Sequence, residues 1–249
     1  MFPQKNTPRI VSVVPSQTEL LFDLGVGDSV VGVTKFCIYP PAARQKAIVG
    51  GTKNLDIARI IALRPDLIIA NKEENTEADI VALQQYCTVW LSDIYTLDDA
   101  LRMIRDIGAL THTTEKADLL SKQIAQQFEE LAQHRAASDI ALRKAAYFIW
   151  RKPYMVAASH TFIQDMLERA GFANVFGDRA RYPIITAADL VAAQPDVILL
   201  SSEPYPFKTA HLTELQAICP TAQVQLIDGE LFSWYGSRLL HSAAYFLSL

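Results

Sequence analysis

The chain is short of the features that announce many functions. Its three cysteines, Cys37, Cys87 and Cys219, lie too far apart for a C-x-x-C metal or redox pair, and an odd number excludes a complete disulfide framework. No stretch approaches the roughly 18 consecutive apolar residues of a transmembrane helix. Charge is not lopsided: 23 Lys and Arg face 27 Asp and Glu, with no long run of one sign. Neither nucleic acid nor an anionic membrane is therefore an expected partner, and a neutral or weakly anionic small ligand fits better. The opening MFPQKNTPRIVSVV has one Lys and neither the apolar core nor the small-residue cleavage site of a secretory signal. The expectation is a removed leader or a cytoplasmic protein.

Enzyme signatures are missing too. GVGDSVVG from Gly25 lacks the G-x-G-x-x-G spacing of a dinucleotide loop, and neither G-x-x-x-x-G-K-[ST] nor G-x-S-x-G occurs. His112, His134, His160, His211 and His241 show no H-x-x-x-H spacing, and only His160, between YMVAAS and a helix pattern, falls near a binding edge. These gaps point to a protein that is not an enzyme and carries no prosthetic group.

What is present is a repeat. LRPDLIIANKEE (63–74) returns as AQPDVILLSSEP (193–204) in a chain of 249 residues, half of them hydrophobic, enough for one large core or two smaller ones. Each copy follows a helical pattern, DIARIIAL or TAADLVAA, and ends in a branched apolar run suited to a strand buried on both faces of a parallel sheet. The Pro pushes the residue before it out of the α region and ends the helix. IVSVV and AAYFIW read as opening strands, followed by helices QTELLFDLG and TFIQDMLERAG that stop at Gly25 and Gly171, and TVWL and VQLI as closing strands. The simplest architecture is two α/β lobes of similar build.

Between the lobes, EKADLLSKQIAQQFEELAQHRAAS places Leu120, Ile124, Phe128 and Leu131 on one face, and no Gly or Pro occurs from 111 to 152. Residues 115–137 would form a helix of ~33 Å. The expected division is 1–112 for the first lobe, 113–138 for a rigid linking helix and 139–249 for the second lobe. A surface helix of a single-domain fold is the alternative.

The order RIVSVVPSQTELLFDLGVGDSVVGVT, YPP, DIARIIALRPDLIIA and FANVFGD resembles the class III periplasmic substrate-binding proteins. Within them it is most similar to the cobalamin-binding proteins of ABC transporters, whose relatives bind haem and iron siderophores. The resemblance runs from Arg9 almost to the C-terminus. It implies two Rossmann-like α/β lobes joined by one long rigid backbone helix, small hinge motions, and a ligand cleft between the lobes. It implies non-enzymatic binding of cobalamin, another corrinoid, haem or a ferric siderophore by a monomer in the periplasm or cell envelope, feeding an ABC permease. The alternative is a cytoplasmic chelate-handling protein or chelatase-like enzyme not coupled to a permease.

Open α/β sheets bind ligands at the carboxyl ends of their strands. A large flat chelate needs aromatic surfaces with hydrogen-bonding groups at the rim. Phe36, Trp150, Tyr154, Tyr182, Trp234 and Tyr235 are the expected surfaces, and Lys53, Arg151 and Arg238 the expected partners of carboxylate or phosphate. Cys37 is a further candidate contact, and Cys37 and His160 are the candidate metal ligands. By the resemblance, a Tyr of the cobalamin binders falls on Phe36, a second-lobe Trp on Tyr182, and two first-lobe Trp on Thr52 and Asn71. A surface Glu that each lobe of the relatives offers to the permease falls on Ala58 and on Ala188, with Asp56 and Asp189 nearby but offset along their helices.

Overall fold

The computed structural model describes residues 8–138 and 141–249. Residues 1–7, which open the N-terminal stretch read above, and 139–140, the first residues of the expected third segment, lie outside the described residues. The chain folds into two compact units. The first takes the described residues through Ile94, with Asp98–Ile124 and Tyr235–Arg238; the second takes Tyr95–Leu97, the described residues of Ala125–Trp234, and Leu239–Leu249.

The first unit carries β1 (Ile10–Ser12), β2 (Val30–Val33), β3 (Ala47–Ile48), β4 (Gly50–Gly51), β5 (Asn54–Leu55), β6 (Leu67–Asn71) and β7 (Thr88–Ser92). Five of these form a sheet in the order β3-β2-β1-β6-β7, every pair parallel, while β4 and β5 make a small antiparallel hairpin. The helices are α1 (Pro15–Asp23), α2 (Ile57–Ala62), α3 (Glu77–Gln84), α4 (Leu97–Leu110) and α5 (Thr114–Ala137). Val11, Val13, Ile68 and Ala70 of the sheet meet Ile60 of α2 and Ile80 and Leu83 of α3 in one core. The long helix α5 runs from one unit into the other, through Ile124 in the first and from Ala125 in the second. Its stripe Ile124, Phe128 and Leu131 is buried, as the apolar spacing expects, and Leu120 is half-buried.

The second unit carries β8 (Arg143–Trp150), β9 (Tyr154–Val156), β10 (Phe172–Asn174), β11 (Ile184–Ile185), β12 (Val197–Ser201) and β13 (Gln223–Ile227). Its helices are α6 (Phe162–Arg169), α7 (Ala187–Ala193), α8 (Thr209–Ile218), α9 (Glu230–Ser233) and α10 (Leu239–Leu247). The sheet order is β11-β9-β8-β12-β13, with β10 also parallel to β8. It departs from the first sheet at β9 and β11, which are antiparallel. Phe148, Ile198 and Leu200 of this sheet pack with Leu190, Phe207 and Leu215. At the unit's other face Phe246 of α10 meets Phe128 edge-on at 6.2 Å and Phe232 at 4.5 Å.

The two copies of the repeat do the same work in each unit. β6 and β12 are buried at every position, as runs of branched residues in the middle of a parallel sheet should be. The residue before each Pro, Arg64 at φ 46° and Gln194 at φ 47°, takes the left-handed conformation, so each helix ends in a reversed turn rather than an extended residue. The Asp then grips the neighbouring strand. Asp66 donates its N–H to the Arg9 carbonyl at 2.9 Å and accepts the Arg9 N–H on its carboxylate at 2.8 Å. Asp196 does the same with Lys144, at 2.8 and 2.7 Å.

Such a carboxylate-to-amide bond at an exposed site contributes about 1 kcal/mol. Asp66→Ala and Asp196→Ala are each expected to lower stability by that order, read as a lower urea midpoint with an unchanged slope. A loss well below ~0.3 kcal/mol in both would mean that the register is held by core packing alone.

Candidate functional site

In the first unit, a buried amide network builds the surface at the carboxyl ends of the strands. Asn71, the last residue of β6, accepts the Glu73 and Glu74 backbone N–H groups on Oδ1 at 2.8 and 3.1 Å and donates Nδ2 to Ser92. Asn75 closes the same loop, accepting the Asn71 N–H at 2.9 Å and donating to the carbonyls of Val13 and Thr52 at 3.3 and 3.0 Å. Gln17, at the start of α1, donates to Ser92 Oγ at 2.6 Å, while its buried Oε1 has no partner among the described residues. Both Thr52 and Asn71 are buried. These two positions therefore brace the loop and offer no aromatic face.

Phe36 stands on this scaffold with 51% of its surface exposed. A Cβ on Gly51 would lie 3.3 Å from the Phe36 ring, so the ring rests over the β4–β5 hairpin, with the Lys35 ammonium 5.1 Å from its centroid. Lys53, at the hairpin tip, donates its ammonium to the Glu73 carbonyl. Half-buried Glu74 lies beside them with no hydrogen-bond partner for its carboxyl among the described residues. Burial pushes that carboxyl above the usual carboxylate range, with Lys53 pulling it down and Glu73 pushing it up.

Cys37 corrects an expectation. It is only 2% exposed, and its Sγ sits 3.2 Å from the hydroxyls of Thr18 and Thr34. Burial pushes the thiol up, so it is a neutral core group. Among the described residues no three His, Cys, Asp or Glu converge into a metal site.

Arg238, expected to meet a ligand carboxylate, is committed within the first unit. It pairs bidentately with Glu19, Nε to Oε2 at 2.9 Å and the terminal nitrogen to Oε1 at 2.6 Å, with its guanidinium 4.4 Å from the Tyr39 ring centroid. Ser237 donates to Asp23, one turn further along the same face of α1. Gly236 at φ 148° lets this segment approach the Ser16 carbonyl, which a Cβ would reach at 3.1 Å. Tyr235 is 5% exposed in this packing. The spacing Glu19-x-x-x-Asp23 on a predicted helix was the signal available for these partners, though nothing in sequence ties it to residues more than two hundred positions away.

In the second unit, Trp150 closes β8 with 39% of its surface exposed. Its indole N–H donates to the Lys152 carbonyl at 3.1 Å and its ring meets Tyr205 edge-on at 5.5 Å, which fixes its orientation. Arg151 is paired with Glu214 of α8 at 2.6 Å, and the Tyr154 hydroxyl donates to the other Glu214 oxygen. The bonds from Arg151 and then Tyr154 hold the Glu214 carboxyl below its ordinary range, and burial followed by the bond to Glu214 pushes the Tyr154 hydroxyl up to about 12. Arg151 and Tyr154 thus form a braced corner instead of two independent ligand contacts. Glu214 is the member that the sequence reading missed, because it lies mid-helix in HLTELQAI with no motif around it.

Trp234 is a second correction. It is 8% exposed and donates its indole N–H to Glu203 at 2.8 Å, beside Ser233, which donates to the same oxygen at 2.5 Å. It is a core residue that anchors the loop after β12. Tyr182 is half-buried, with the Arg181 guanidinium 5.8 Å from its ring centroid and 6.0 Å from that of Tyr95. His160 is exposed at φ 57°, with Nδ1 3.2 Å from the Ser159 hydroxyl. Within their own units, then, Phe36, Trp150, Lys53, Tyr182 and His160 keep exposed surface, whereas Cys37, Trp234 and Tyr235 do not.

Asp56 and Asp189 both cap helices. Asp56 accepts the Arg59 N–H at 3.0 Å. Asp189 forms a capping box with Thr186 and pairs with Arg179 at 2.8 Å, bonds that hold its carboxyl well below the usual range, Arg179 first. Ala58 and Ala188 are exposed on the same helices.

A family model described as periplasmic binding protein matches residues 10–224. A vitamin B12-binding protein of Pectobacterium atrosepticum is 27% identical over 242 residues, covering 94% of this chain and 85% of its own. One from Vibrio cholerae is 28% identical over 197 residues, covering 78% and 70%. Among solved structures, the periplasmic vitamin B12 binding protein of Vibrio cholerae matches with a TM-score of 0.85 at 24% identity, over 97% of this chain and 96% of that one. A periplasmic heme binding protein from Pseudomonas aeruginosa matches with a TM-score of 0.83 at 22% identity, over 97% and 94%. At such identities the two structures speak to the fold alone: two sheet-containing α/β lobes and one long helix. The family consists of periplasmic solute-binding proteins, not enzymes, and with residues 10–224 matched this chain belongs to it.

Proposed function

We propose that the protein is a periplasmic receptor that binds a corrinoid or related metal chelate without transforming it and presents it to an ABC-type permease. The observation that carries this reading is the exposure of Phe36 and Trp150 at the carboxyl ends of their strands, each ring held in place by its neighbours. Two large aromatic faces left in water gain the free protein nothing, and a flat macrocycle laid on such a face removes both surfaces from solvent. The names of the relatives, vitamin B12-binding and heme-binding, support a macrocyclic chelate as the ligand class. Tyr182 and His160 are the further contacts proposed in the second unit.

Calorimetric titration with cobalamin, cobinamide, haem and a ferric siderophore tests the reading, and one site per chain for at least one of them is expected. Phe36→Ala and Trp150→Ala should each weaken that binding by roughly 1 to 3 kcal/mol, the worth of a stacked aromatic. No heat with any of the four ligands would overturn it.

A second reading, a chelate carrier not coupled to a permease, is favoured by one observation. Ala58 and Ala188 stand where the family resemblance places a docking Glu pair, and the nearby Asp56 and Asp189 are engaged in helix capping. Docking by paired carboxylates draws its steering from unpaired surface charge. Capture of the cognate permease, if it occurs, is therefore expected to survive the Asp56→Asn/Asp189→Asn double substitution. Tight, salt-sensitive capture that the double variant loses would establish carboxylate-led docking instead.

A further inference from the structure

The patch that carries Phe36 has a charge pattern that bears on the edge of the ligand rather than its ring. The β4–β5 hairpin and the loop after β6 are tied into one surface by the Asn75 bond to the Thr52 carbonyl and by the Lys53 bond to the Glu73 carbonyl. A ring laid on Phe36 therefore brings its fringe toward Lys53, Glu73 and Glu74. Each of the cations Lys53, Lys35 and Arg238 already has a protein contact. Lys53 serves the Glu73 carbonyl, Lys35 lies over the Phe36 ring, and Arg238 is locked between Glu19 and Tyr39. Withdrawing Arg238 to meet a ligand carboxylate would strand Glu19, whose side chain is only 17% exposed. What this surface does offer is the half-buried Glu74 carboxyl, without a hydrogen-bond partner among the described residues and on a loop whose backbone Asn71 and Asn75 fix in advance.

We infer that Glu74 selects the fringe of the ligand on the first unit, accepting chelates edged with carboxamides and rejecting those edged with carboxylates. The inference rests on the chelate-receptor reading above and narrows its ligand class to amide-fringed corrinoids. The chemistry holds in either protonation state. As an acid, Glu74 donates O–H to the amide carbonyl and accepts an amide N–H on its other oxygen, a two-bond match. As a carboxylate, it accepts the N–H alone. Against a ligand carboxylate, the charged form meets like charge, and the neutral form makes one bond while its carbonyl oxygen faces a second oxygen. The upward push that burial gives this carboxyl favours the two-bond form.

The test compares two corrinoids with the same ring and different fringes, dicyanocobinamide with carboxamides and dicyanocobyrinic acid with carboxylates, by calorimetric titration of the full chain and of Glu74→Gln. The wild type is expected to prefer the amide-fringed ring by at least about tenfold, the scale of one like-charge contact at a partly buried site. Glu74→Gln, which keeps the shape and adds an N–H donor, should tighten binding of the carboxylate ring and bring the ratio to within about threefold. Binding of both rings with equal affinity by the wild type, or an unchanged ratio in Glu74→Gln, overturns the inference and leaves the receptor reading standing. Failure of both rings to bind the wild type overturns the receptor reading for corrinoids and this inference with it.

Discussion

The carboxylate of each Pro-Asp turn, bonded to the backbone N–H that opens the neighbouring strand, is the constraint on which the rest of each unit depends. In a parallel sheet no hairpin sets the register, so the buried pattern of each strand sets it and a contact at its start reinforces it. Asp66 does this for β1 through Arg9, and Asp196 does it for β8 through Lys144. With the start fixed, the other end of the central strand falls at a defined place. There the last residue of each strand, Asn71 or Ser201, turns its side chain onto the loop that follows. The register at one edge of the sheet thereby determines which loop residues stand at the opposite edge.

Much of this was legible because it rests on local chemistry. The repeated helix, Pro-Asp turn and apolar strand read directly from spacing, and α5 from an apolar stripe uninterrupted by Gly or Pro. The Asp of the turn was visible as a residue but not as a clamp, since its partner lies more than fifty positions upstream. The site was less legible for the same reason. An aromatic or an Arg after a strand looks the same in sequence whether it faces solvent or a distant partner. Trp234 found Glu203, Arg151 found Glu214 and Arg238 found Glu19, the last across 219 positions. Phe36 and Trp150 kept 51% and 39% of their surface exposed with Gly51 and Lys35 against the one ring and Tyr205 against the other.

The internal pairing of the two arginines changes how recognition must work. A receptor for a carboxylate-edged ligand needs cations that lose little on switching partners. Here each Arg would abandon a bidentate or braced carboxylate and leave that carboxylate without its partner before any gain from the ligand. The same pairs, left alone, hold the loops that carry the exposed rings. Preorganisation of this kind lowers the entropy lost when a ligand binds.

Amide hydrogen exchange, followed with and without saturating cyanocobalamin, addresses the central claim that ligand is received at the carboxyl ends of the strands by loops that the turn clamps and amide networks hold in place. The account predicts slowed exchange at residues 35–37, 52–53 and 72–75 in the first unit and at 150–152, 203 and 205 in the second, with no change at the opposite strand ends, 64 and 66, and 194 and 196. Slowing confined to those opposite ends, or no slowing anywhere under conditions where binding is established, would contradict it.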